Sequence, residues 1–399
     1  MPAPVVIVGA SMGGLRTAES LRRFGYAGPI TVIGDEPYAP YNRPPLSKEV
    51  LAAEVSHEAV AFPQRPATAD VHWMLGQAAR SAELAEHTVT LADGSTVAFS
   101  KLVIATGLRP KRAELVNGEL AGRHVIRSLD DAIALRAAIR PGVRVVVFGA
   151  GFIGCETAAT MRKLGAEVTI VARGLIPLEH ALGAELGREI QRRHEAQSVR
   201  FVLGRSIVGL RGEERLTAVE LDNGEILDAD VLIEAIGSVP NTEWLADTEL
   251  DLSDGVLCDT QLRAVGVGGQ SVPDVFAIGD VARFVNPLFG EDALRVEHWN
   301  IPTECAKHVA KVIAAELAGS EAPSEHFIPV PSFWSDQYDM HILAFGLPAL
   351  ADSNRLVQGE LSGDCVFEYE RDGRLLGVVG IGLRSVVQSY RQRFESAER

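Results

Sequence analysis

The chain has 399 residues, of which 47% are hydrophobic and 23% charged, so its length predicts two or three domains with ample packed core. Its 38 Lys and Arg residues against 53 Asp and Glu residues give a formal charge of −15, which disfavours nucleic acid and anionic membranes as partners. This composition excludes a fibrous or disordered protein and a disulfide-stapled mini-protein.

The cysteines and the N-terminal segment predict a soluble cytoplasmic protein. Cys155, Cys258, Cys305 and Cys365 show neither a C-x-x-C motif nor a metal-ligand spacing, which predicts four thiols and no metal site. The opening residues MPAPVVIVGAS contain no basic leader, and no apolar run approaches the ~18 residues of a membrane span. We therefore interpret the N-terminal segment as a strand.

A strand-turn-helix pattern occurs twice, the second copy 140 residues after the first. Residues 4–25 read PVVIVGASMGGLRTAESLRRFG and residues 143–165 read VRVVVFGAGFIGCETAATMRKLG. In each copy a β-branched run meets a glycine turn and a helix that ends at glycine, followed by a second strand at residues 30–33 or 168–171. Each copy is typical of the opening βαβ unit of a dinucleotide site.

The glycine spacing explains this interpretation. The first glycine allows a tight turn, the second lets the backbone approach a pyrophosphate, and the third packs helix against strand. The second copy has the complete G-x-G-x-x-G motif, whereas serine takes the middle position of the first copy. The residues expected to line the two turns are Gly9, Ser11, Gly13 and Gly14, and Gly149, Gly151, Ile153 and Gly154.

Three further stretches are predicted to be buried strands that end at glycine turns. They are residues 102–107, which end in Thr106 and Gly107, residues 231–237, which end in Gly237, and residues 275–282, which contain Asp280. The third stretch places an acidic residue just beyond a buried strand.

This order of elements resembles the flavoproteins with two dinucleotide-binding domains, in which the NAD(P) domain is inserted into the FAD domain. The resemblance implies an α/β fold with two nested Rossmann-like domains, as in glutathione reductase, plus a C-terminal α+β interface domain. It implies an FAD domain at residues 1–112 and 241–325, an NAD(P) domain at residues 113–240 and an interface domain at residues 326–399.

Three separate motifs resemble one branch of this pyridine nucleotide-disulfide oxidoreductase superfamily. They are YNRPPLSK at residues 41–48, VEHWN at residues 296–300 and FWSDQYD at residues 333–339. All three resemble the FAD-dependent ferredoxin reductases of oxygenase systems, the group of putidaredoxin reductase and the biphenyl dioxygenase reductases. After VEHWN the chain departs from the pattern with IPTECA. No cysteine precedes Cys155, which disfavours thiol-disulfide chemistry at the flavin.

The resemblance, together with the strand-end positions, assigns the cofactor sites. Lys48 is expected beside the reactive edge of the flavin, with Glu156 as the partner that keeps it charged and positioned. Trp299 is expected to flank the flavin ring. The FAD candidates are Gly9, Ser11, Gly13, Gly14, Asp35, Glu36, Arg43, Lys48, Ala79, Thr106, Gly107, Arg127, Asp280, Trp299 and Trp334. The NAD(P) candidates are Gly149, Gly151, Ile153, Gly154, Ala172, Arg173, His180 and Gly237.

Several of these assignments leave alternatives open. Asp35 follows the predicted strand at residues 30–33, where an acid can bind the adenosine ribose, and Glu36 is its rival. Arg127 lies either at a flavin phosphate or hinge position or on the surface. Trp334 lies either near the flavin ring, on a docking surface or in the core.

The second strand of the second copy predicts the nicotinamide cofactor. NADH enzymes commonly carry an acid after this strand, which binds the ribose 2′-hydroxyl and would repel a 2′-phosphate. Here Ala172 and Arg173 stand at that position, so we predict that NADPH is accepted; the alternative is that Arg173 faces solvent and NADH binds through backbone contacts. His180 stands where relatives often have arginine.

The resulting hypothesis is a flavoenzyme that takes hydride from NAD(P)H at flavin N5 and passes single electrons to a ferredoxin that serves a cytochrome P450 or a Rieske oxygenase. The alternatives are a cysteine-independent NAD(P)H oxidase or small-molecule reductase, and a redox-sensing interaction protein like apoptosis-inducing factor. A monomer and a homodimer both remain open. Because ferredoxins are usually acidic, docking needs a local basic surface, for which the candidates are Arg295, Arg384, Arg391 and Arg393.

Overall fold

The structure, a computed structural model, describes residues 4–53, 55–63 and 65–396. The helices are α1 (Met12–Arg23), α2 (Glu49–Ala52), α3 (His57–Val60), α4 (Leu129–Ala138), α5 (Phe152–Lys163), α6 (Glu179–Ala196), α7 (Ile301–Leu317) and α8 (Arg384–Ser396). The strands in the first third of the chain are β1 (Val5–Val8), β2 (Ile30–Gly34), β3 (His72–Leu75), β4 (Ala79–Glu83), β5 (Thr88–Leu91), β6 (Thr96–Ala98), β7 (Lys101–Ile104), β8 (Leu108–Pro110) and β9 (Arg123–His124).

The strands of the remaining chain continue in the same numbering. They are β10 (Arg144–Phe148), β11 (Glu167–Ala172), β12 (Val199–Leu203), β13 (Ile207–Gly212), β14 (Leu216–Leu221), β15 (Ile226–Asp228), β16 (Val231–Glu234), β17 (Ser238–Pro240), β18 (Val256–Leu257), β19 (Arg263–Val265), β20 (Ser271–Ala277), β21 (Ala282–Val285), β22 (Ala293–Arg295), β23 (Ser332–Gln337), β24 (Met340–Gly346), β25 (Ser353–Gly359), β26 (Cys365–Arg371) and β27 (Arg374–Ile381).

The first large sheet combines strands from two distant parts of the chain. Its order is β19-β20-β7-β1-β2-β3, parallel from β20 to β3 and antiparallel only at β19. The side chains of β1 and β7 are buried throughout, as expected for the centre of a parallel sheet covered on both faces. Helices α1 and α7 pack against each other beside this sheet. Strands from the first 104 residues and from residues 263–277 therefore share one sheet.

The second large sheet repeats the same architecture within one continuous segment. Its order is β12-β11-β10-β16-β9, and all its strands are parallel. Strands β8 and β17 pair antiparallel where the chain enters and leaves this segment. The parallel sheets confirm the predicted α/β class with two nested dinucleotide-binding folds, while the boundaries at residues 112, 240 and 325 stay predictions.

The C-terminal unit is an antiparallel sheet of order β23-β24-β27-β26-β25, with α8 packed on it through Val387 and Phe394. One hydrophobic cluster joins this sheet to α5 and to the segment after β2. It contains Leu46, Met161 and Phe367, all at most 1% exposed. The three units therefore share a packed core where they meet.

The two sequence repeats form the elements predicted for them. The strands predicted at residues 30–33 and 168–171 are β2 (Ile30–Gly34) and β11 (Glu167–Ala172). Helices α1 and α5 end two residues before Gly25 and Gly165, which adopt φ values of 87° and 82°. Glycine is favoured at such positions because a Cβ atom disfavours positive φ. In the part of the chain that the structure describes, no helix is long and apolar enough to cross a membrane.

Replacement of Gly154 by alanine tests the helix-strand packing of the second repeat. A Cβ atom at Gly154 would lie 2.1 Å from the carbonyl oxygen of Gly149, so backbone must move. We expect Gly154→Ala to lower the free energy of unfolding by about 2 kcal/mol, within the range of overpacking effects. Gly151→Ala is the matched control, because its Cβ would meet no atom within 4 Å. Equal stability of the two variants in thermal unfolding would contradict this packing argument.

Candidate functional site

The first glycine turn forms a cradle at the carboxyl end of β1. Gly9 has φ 124°, and a Cβ atom there would lie 2.1 Å from the carbonyl oxygen of Ala105. A Cβ atom at Gly14 would lie 2.1 Å from the carbonyl oxygen of Gly9. Ser11 precedes α1 in extended conformation, and its side chain does not cap the helix. The first amides of α1 are therefore available to an anion.

The second glycine turn has nearly the same geometry. Gly149 has φ 117°, and its Cβ would lie 2.2 Å from the carbonyl oxygen of Ala235. Space around Gly151 is open, and Ile153 in the first turn of α5 is 46% exposed. Gly237, just beyond the neighbouring strand β16, has φ 100°. In both turns the backbone approaches too closely to admit a Cβ atom at the first glycine, the geometry typical of a turn that binds a dinucleotide pyrophosphate, so the residues fit FAD and a nicotinamide dinucleotide.

The loop after β2 folds back over the first cradle through Arg43. Its guanidinium pairs with the Glu36 carboxylate, donates to the Arg127 carbonyl at 2.7 Å and donates to Ser11 Oγ at 3.3 Å. The Tyr41 hydroxyl also donates to Glu36. Asp35 is exposed at the end of the same strand. Glu36 is thus occupied in holding the loop, and Asp35 remains open to a ribose.

Asp280 and Arg127 face each other at the other end of the first cradle. Arg127 Nη2 lies 3.6 Å from Asp280 Oδ2. Burial raises the pKa of Asp280 above its usual value, although the Arg127 charge opposes this rise. A half-buried carboxylate whose charge is not fully compensated suits hydroxyl donors such as those of a ribityl chain. Arg127 also lies next to Gly107, 3.2 Å from where a Cβ atom would be.

Two other FAD candidates border this cradle. Thr106 Oγ1 donates to the Asn241 carbonyl at 2.8 Å, and the Asn241 side chain donates back to the Thr106 carbonyl at 3.0 Å. This reciprocal pair ties the two halves of the first unit together. Ala79 begins β4, two residues after Gln77, whose amide donates to the Gly34 carbonyl at 2.8 Å. Ala79 therefore lies beside the end of β2.

Lys48 and Glu156 meet across the boundary between the two dinucleotide folds. Lys48 Nζ lies 2.7 Å from Glu156 Oε2, and the two side chains are 12% and 3% exposed. The second carboxylate oxygen, Oε1, accepts a 2.6 Å hydrogen bond from Ser335 Oγ. Ser47 Oγ also donates to Oε2, at 2.8 Å. This ion pair is therefore held by side chains from all three units of the chain.

Two exposed tryptophans pack against each other on the surface beside the loop that follows β2. Trp299 and Trp334 are 40% and 37% exposed, and their rings meet edge to face with centroids 5.2 Å apart. Trp299 Nε1 donates to Asn42 Oδ1 at 3.4 Å. Neither tryptophan is a core residue, which excludes that alternative for Trp334.

The carboxyl ends of β11 and β12 carry the candidates for nicotinamide choice. Ala172 is buried, whereas Arg173 and His180 are exposed. The backbone amide of Arg205 donates to the Ala172 carbonyl at 3.0 Å, which brings a second exposed arginine to this edge. Arg205 was missed from the sequence, although its position just after β12 could have indicated it.

The cysteines lie away from reactive environments. All four are buried free thiols. Burial raises the pKa of Cys155, the cysteine next to Glu156, to about 12. A thiol with this pKa stays protonated near neutral pH and is a poor nucleophile.

The arginines predicted for partner docking are mostly paired within the chain. Arg295 pairs with Asp254 at 2.7 Å and with Glu297 at 2.8 Å. Arg391 pairs with Glu395 and Arg393 with Glu368, at 2.8 Å and 2.9 Å. Arg384 is exposed at the start of α8. These intramolecular pairs reduce the net positive charge that the four arginines could offer to an acidic partner.

Family comparison agrees with the two cradles and the C-terminal sheet. Residues 3–306 match the family described as Pyridine nucleotide-disulphide oxidoreductase, and residues 332–399 match the one described as Reductase C-terminal. The chain therefore belongs to the pyridine nucleotide-disulphide oxidoreductases, and it is an oxidoreductase of this class.

Individual relatives show which members of that family this chain is similar to. The chain is 36% identical over 381 residues to a ferredoxin–NAD(P)+ reductase from a Sphingomonas species, an alignment that covers 94% of this chain and 88% of that protein. It is 33% identical over 340 residues to the ferredoxin–NAD+ reductase component of the biphenyl dioxygenase system of Paraburkholderia xenovorans, covering 83% of this chain and 78% of that protein. The resemblance predicted from the three motifs is confirmed.

Solved structures give the same result for the fold. The structure of a covalent putidaredoxin reductase–putidaredoxin complex matches with a TM-score of 0.89 at 28% identity, covering 98% of this chain and 93% of that chain. The ferredoxin reductase of the CYP199A2 system from Rhodopseudomonas palustris also matches with a TM-score of 0.89, at 30% identity, covering 97% of this chain and 93% of that chain.

Substitutions of the two neighbouring acids distinguish their roles. We expect Asp35→Asn to weaken FAD binding about tenfold, a typical effect for a charge-assisted hydrogen bond, with little change in apoprotein stability. Glu36→Gln should instead lower the free energy of unfolding of the apoprotein by about 1–3 kcal/mol, because Arg43 loses its carboxylate partner. Equilibrium FAD titration and thermal unfolding measure the two effects. The reverse pattern would assign the ribose to Glu36.

Proposed function

We propose that this protein is an NAD(P)H-dependent FAD ferredoxin reductase that delivers electrons to a cytochrome P450 or a Rieske oxygenase through a ferredoxin. The relatives whose names include ferredoxin reductase align over most of this chain. The observation that carries the proposal is the buried Lys48–Glu156 pair between two dinucleotide cradles. A two-cradle protein with a fixed cation at their junction fits hydride transfer between two coenzymes.

The positions of the chain's own residues support the following proposed roles. The first turn of α1 binds the FAD pyrophosphate, Asp35 accepts from the ribose and Asp280 accepts from ribityl hydroxyls. The first turn of α5 binds the nicotinamide dinucleotide in the same way. When bound, FAD supplies the chemistry that accepts a hydride and returns single electrons.

Lys48 and Glu156 control the electrostatics of the flavin edge. The ammonium group of Lys48 favours negative charge on the reduced ring, and Glu156 keeps that ammonium in place. The raised pKa of the Cys155 thiol supports a pathway without a cysteine intermediate. Trp299 and Trp334 form an exposed aromatic pair beside Asn42, which suits contact with an iron–sulfur protein.

We propose that Arg173 and Arg205 favour NADPH. The two exposed arginines lie at the carboxyl ends of neighbouring strands, where a ribose 2′-phosphate would bind, and the position after Ala172 carries no acid.

The central experiment reduces the purified flavoprotein anaerobically with NADPH or NADH and then mixes it with candidate [2Fe–2S] ferredoxins in a stopped-flow instrument. We expect rapid bleaching of the flavin absorbance, followed by ferredoxin reduction at a rate that saturates with ferredoxin concentration. Rapid reoxidation by O2 with no ferredoxin transfer would favour the oxidase alternative. Slow turnover with a long-lived charge-transfer complex and redox-dependent assembly would favour the sensor alternative.

Coenzyme choice is tested at Arg173. We expect Arg173→Ala to lower kcat/KM for NADPH about tenfold or more and to leave the NADH value within about twofold, because only NADPH carries the 2′-phosphate. Arg200→Ala is the matched control, since Arg200 lies at the opposite, amino-terminal half of β12 and pairs with Glu225. A parallel loss for both coenzymes would contradict recognition of the phosphate.

A further inference from the structure

The Glu156 carboxylate ends a continuous buried chain of hydrogen bonds. Ser335 Oγ lies 2.6 Å from Glu156 Oε1, Gln337 Nε2 lies 3.0 Å from Ser335 Oγ, and Gln337 Oε1 lies 2.9 Å from His194 Nε2. Ser335, Gln337 and His194 are each 0% exposed. Burying three polar side chains together is costly unless each is satisfied, so the arrangement needs an explanation beyond packing.

The direction of every bond in this chain follows from the carboxylate. An ionised carboxylate only accepts hydrogen bonds, so Ser335 donates to Glu156 and must accept from the amide nitrogen of Gln337. The amide oxygen of Gln337 then accepts, so His194 donates through Nε2 and carries its proton there. Burial lowers the pKa of His194, although its bond to Gln337 opposes this, so the ring stays neutral near pH 7. All three donors therefore point toward Glu156, an alignment in which each bond polarises the next.

This chain of hydrogen bonds crosses the boundary between the second dinucleotide fold and the C-terminal sheet. Glu156 lies on α5 and His194 on α6, both in the second dinucleotide fold, whereas Ser335 and Gln337 lie on β23 of the C-terminal sheet. Ser335 and Gln337 share one face of β23 because side chains alternate along a strand. Helix α6 is also fixed to the C-terminal unit, since the hydroxyl of Tyr369 donates to the Leu182 carbonyl at 2.7 Å.

We propose that Ser335, Gln337 and His194 are positioning residues that set the reduction potential of the bound flavin through Glu156 and Lys48. This inference rests on the proposed function in that it requires FAD beside Lys48. With Ser335 donating to Oε1, the carboxylate is held so that Lys48 meets only Oε2. Without that donor, Oε1 is buried and unpaired, and it competes for the N–H groups of Lys48. The Lys48 ammonium then moves closer to the carboxylate and away from the flavin edge. Its charge favours the reduced ring less from this new position.

The test measures the two-electron reduction potential of the FAD-loaded protein by spectroelectrochemistry, without any ferredoxin. We expect Ser335→Ala to lower the equilibrium constant for flavin reduction about tenfold, which corresponds to about 30 mV. Lys48→Met should lower it at least as much, and Gln337→Met should lower it by less than Ser335→Ala. Ser335→Thr, which keeps the hydroxyl, should restore the wild-type potential.

A double-mutant cycle separates positioning from a purely structural effect. In the Lys48→Met background, Ser335→Ala should cause no further change, because its effect acts through the lysine. Ser332→Ala on the same strand but the opposite face is the matched control and should leave the potential unchanged. An equal shift from Ser335→Ala in both backgrounds, or no shift in a folded Ser335→Ala protein, would overturn the proposal. If Ser335→Ala does not fold, Gln337→Met replaces it in the same double-mutant cycle with Lys48→Met.

The outcomes also distinguish this inference from the proposed function. A protein that reduces no ferredoxin but shows the coupled shift in potential would refute only the reductase assignment. A protein that reduces ferredoxin without the coupled shift would refute only the proposed positioning role of Ser335, Gln337 and His194.

Discussion

The Lys48–Glu156 ion pair is the constraint on which the arrangement of the three units depends. A buried carboxylate needs partners for both oxygens, since an unpaired buried charge costs several kcal/mol. Here the partners of Glu156 come from the loop after β2 and from β23 of the C-terminal sheet. Displacing any one unit would strip the carboxylate of a donor, so the charge network and the domain arrangement support each other.

Hydrophobic packing reinforces this junction. Leu46 and Leu51 from the first unit, Cys155 on α5, and Met340 and Ile342 on β24 belong to one buried cluster. The packing leaves the ion pair largely buried, with side chains 12% and 3% exposed, and the lower local dielectric strengthens the attraction between its charges. The ion pair is thus placed inside a shared core, whereas the two glycine turns lie at the carboxyl ends of their sheets.

Much of the fold and part of the site could be predicted from residue patterns. Gly9, Gly14, Gly149 and Gly154 indicated the two cradles because only a residue without a Cβ fits against the neighbouring carbonyls. The β-branched runs of β1 and β10 indicated the first strand of each βαβ unit. Lys48 and Glu156 were placed as partners by family resemblance, since 108 residues separate them and no local pattern relates them.

What remained hidden depended on contacts between distant elements. Ser335 and Gln337 lie in the same motif as Trp334, which was the only residue of that motif predicted to be functional. Their spacing of two residues, which places both side chains on one face of β23, was the only local sign of a shared role. The intramolecular pairs of Arg295 and Arg393 with Glu297 and Glu368 were equally invisible, so the local charge balance of the docking candidates could be read only from the folded chain.

By itself the sequence determined the repeated βαβ units, because glycine spacing and β-branched runs act over a few residues of local backbone. It also determined the family, through three motifs kept in order along the chain. Only the tertiary structure decided which of two adjacent acids pairs with Arg43, which second arginine lies at the same sheet edge as Arg173, and which hydroxyls donate to Glu156. These are questions of distance between side chains far apart in sequence, and only the folded backbone sets such distances.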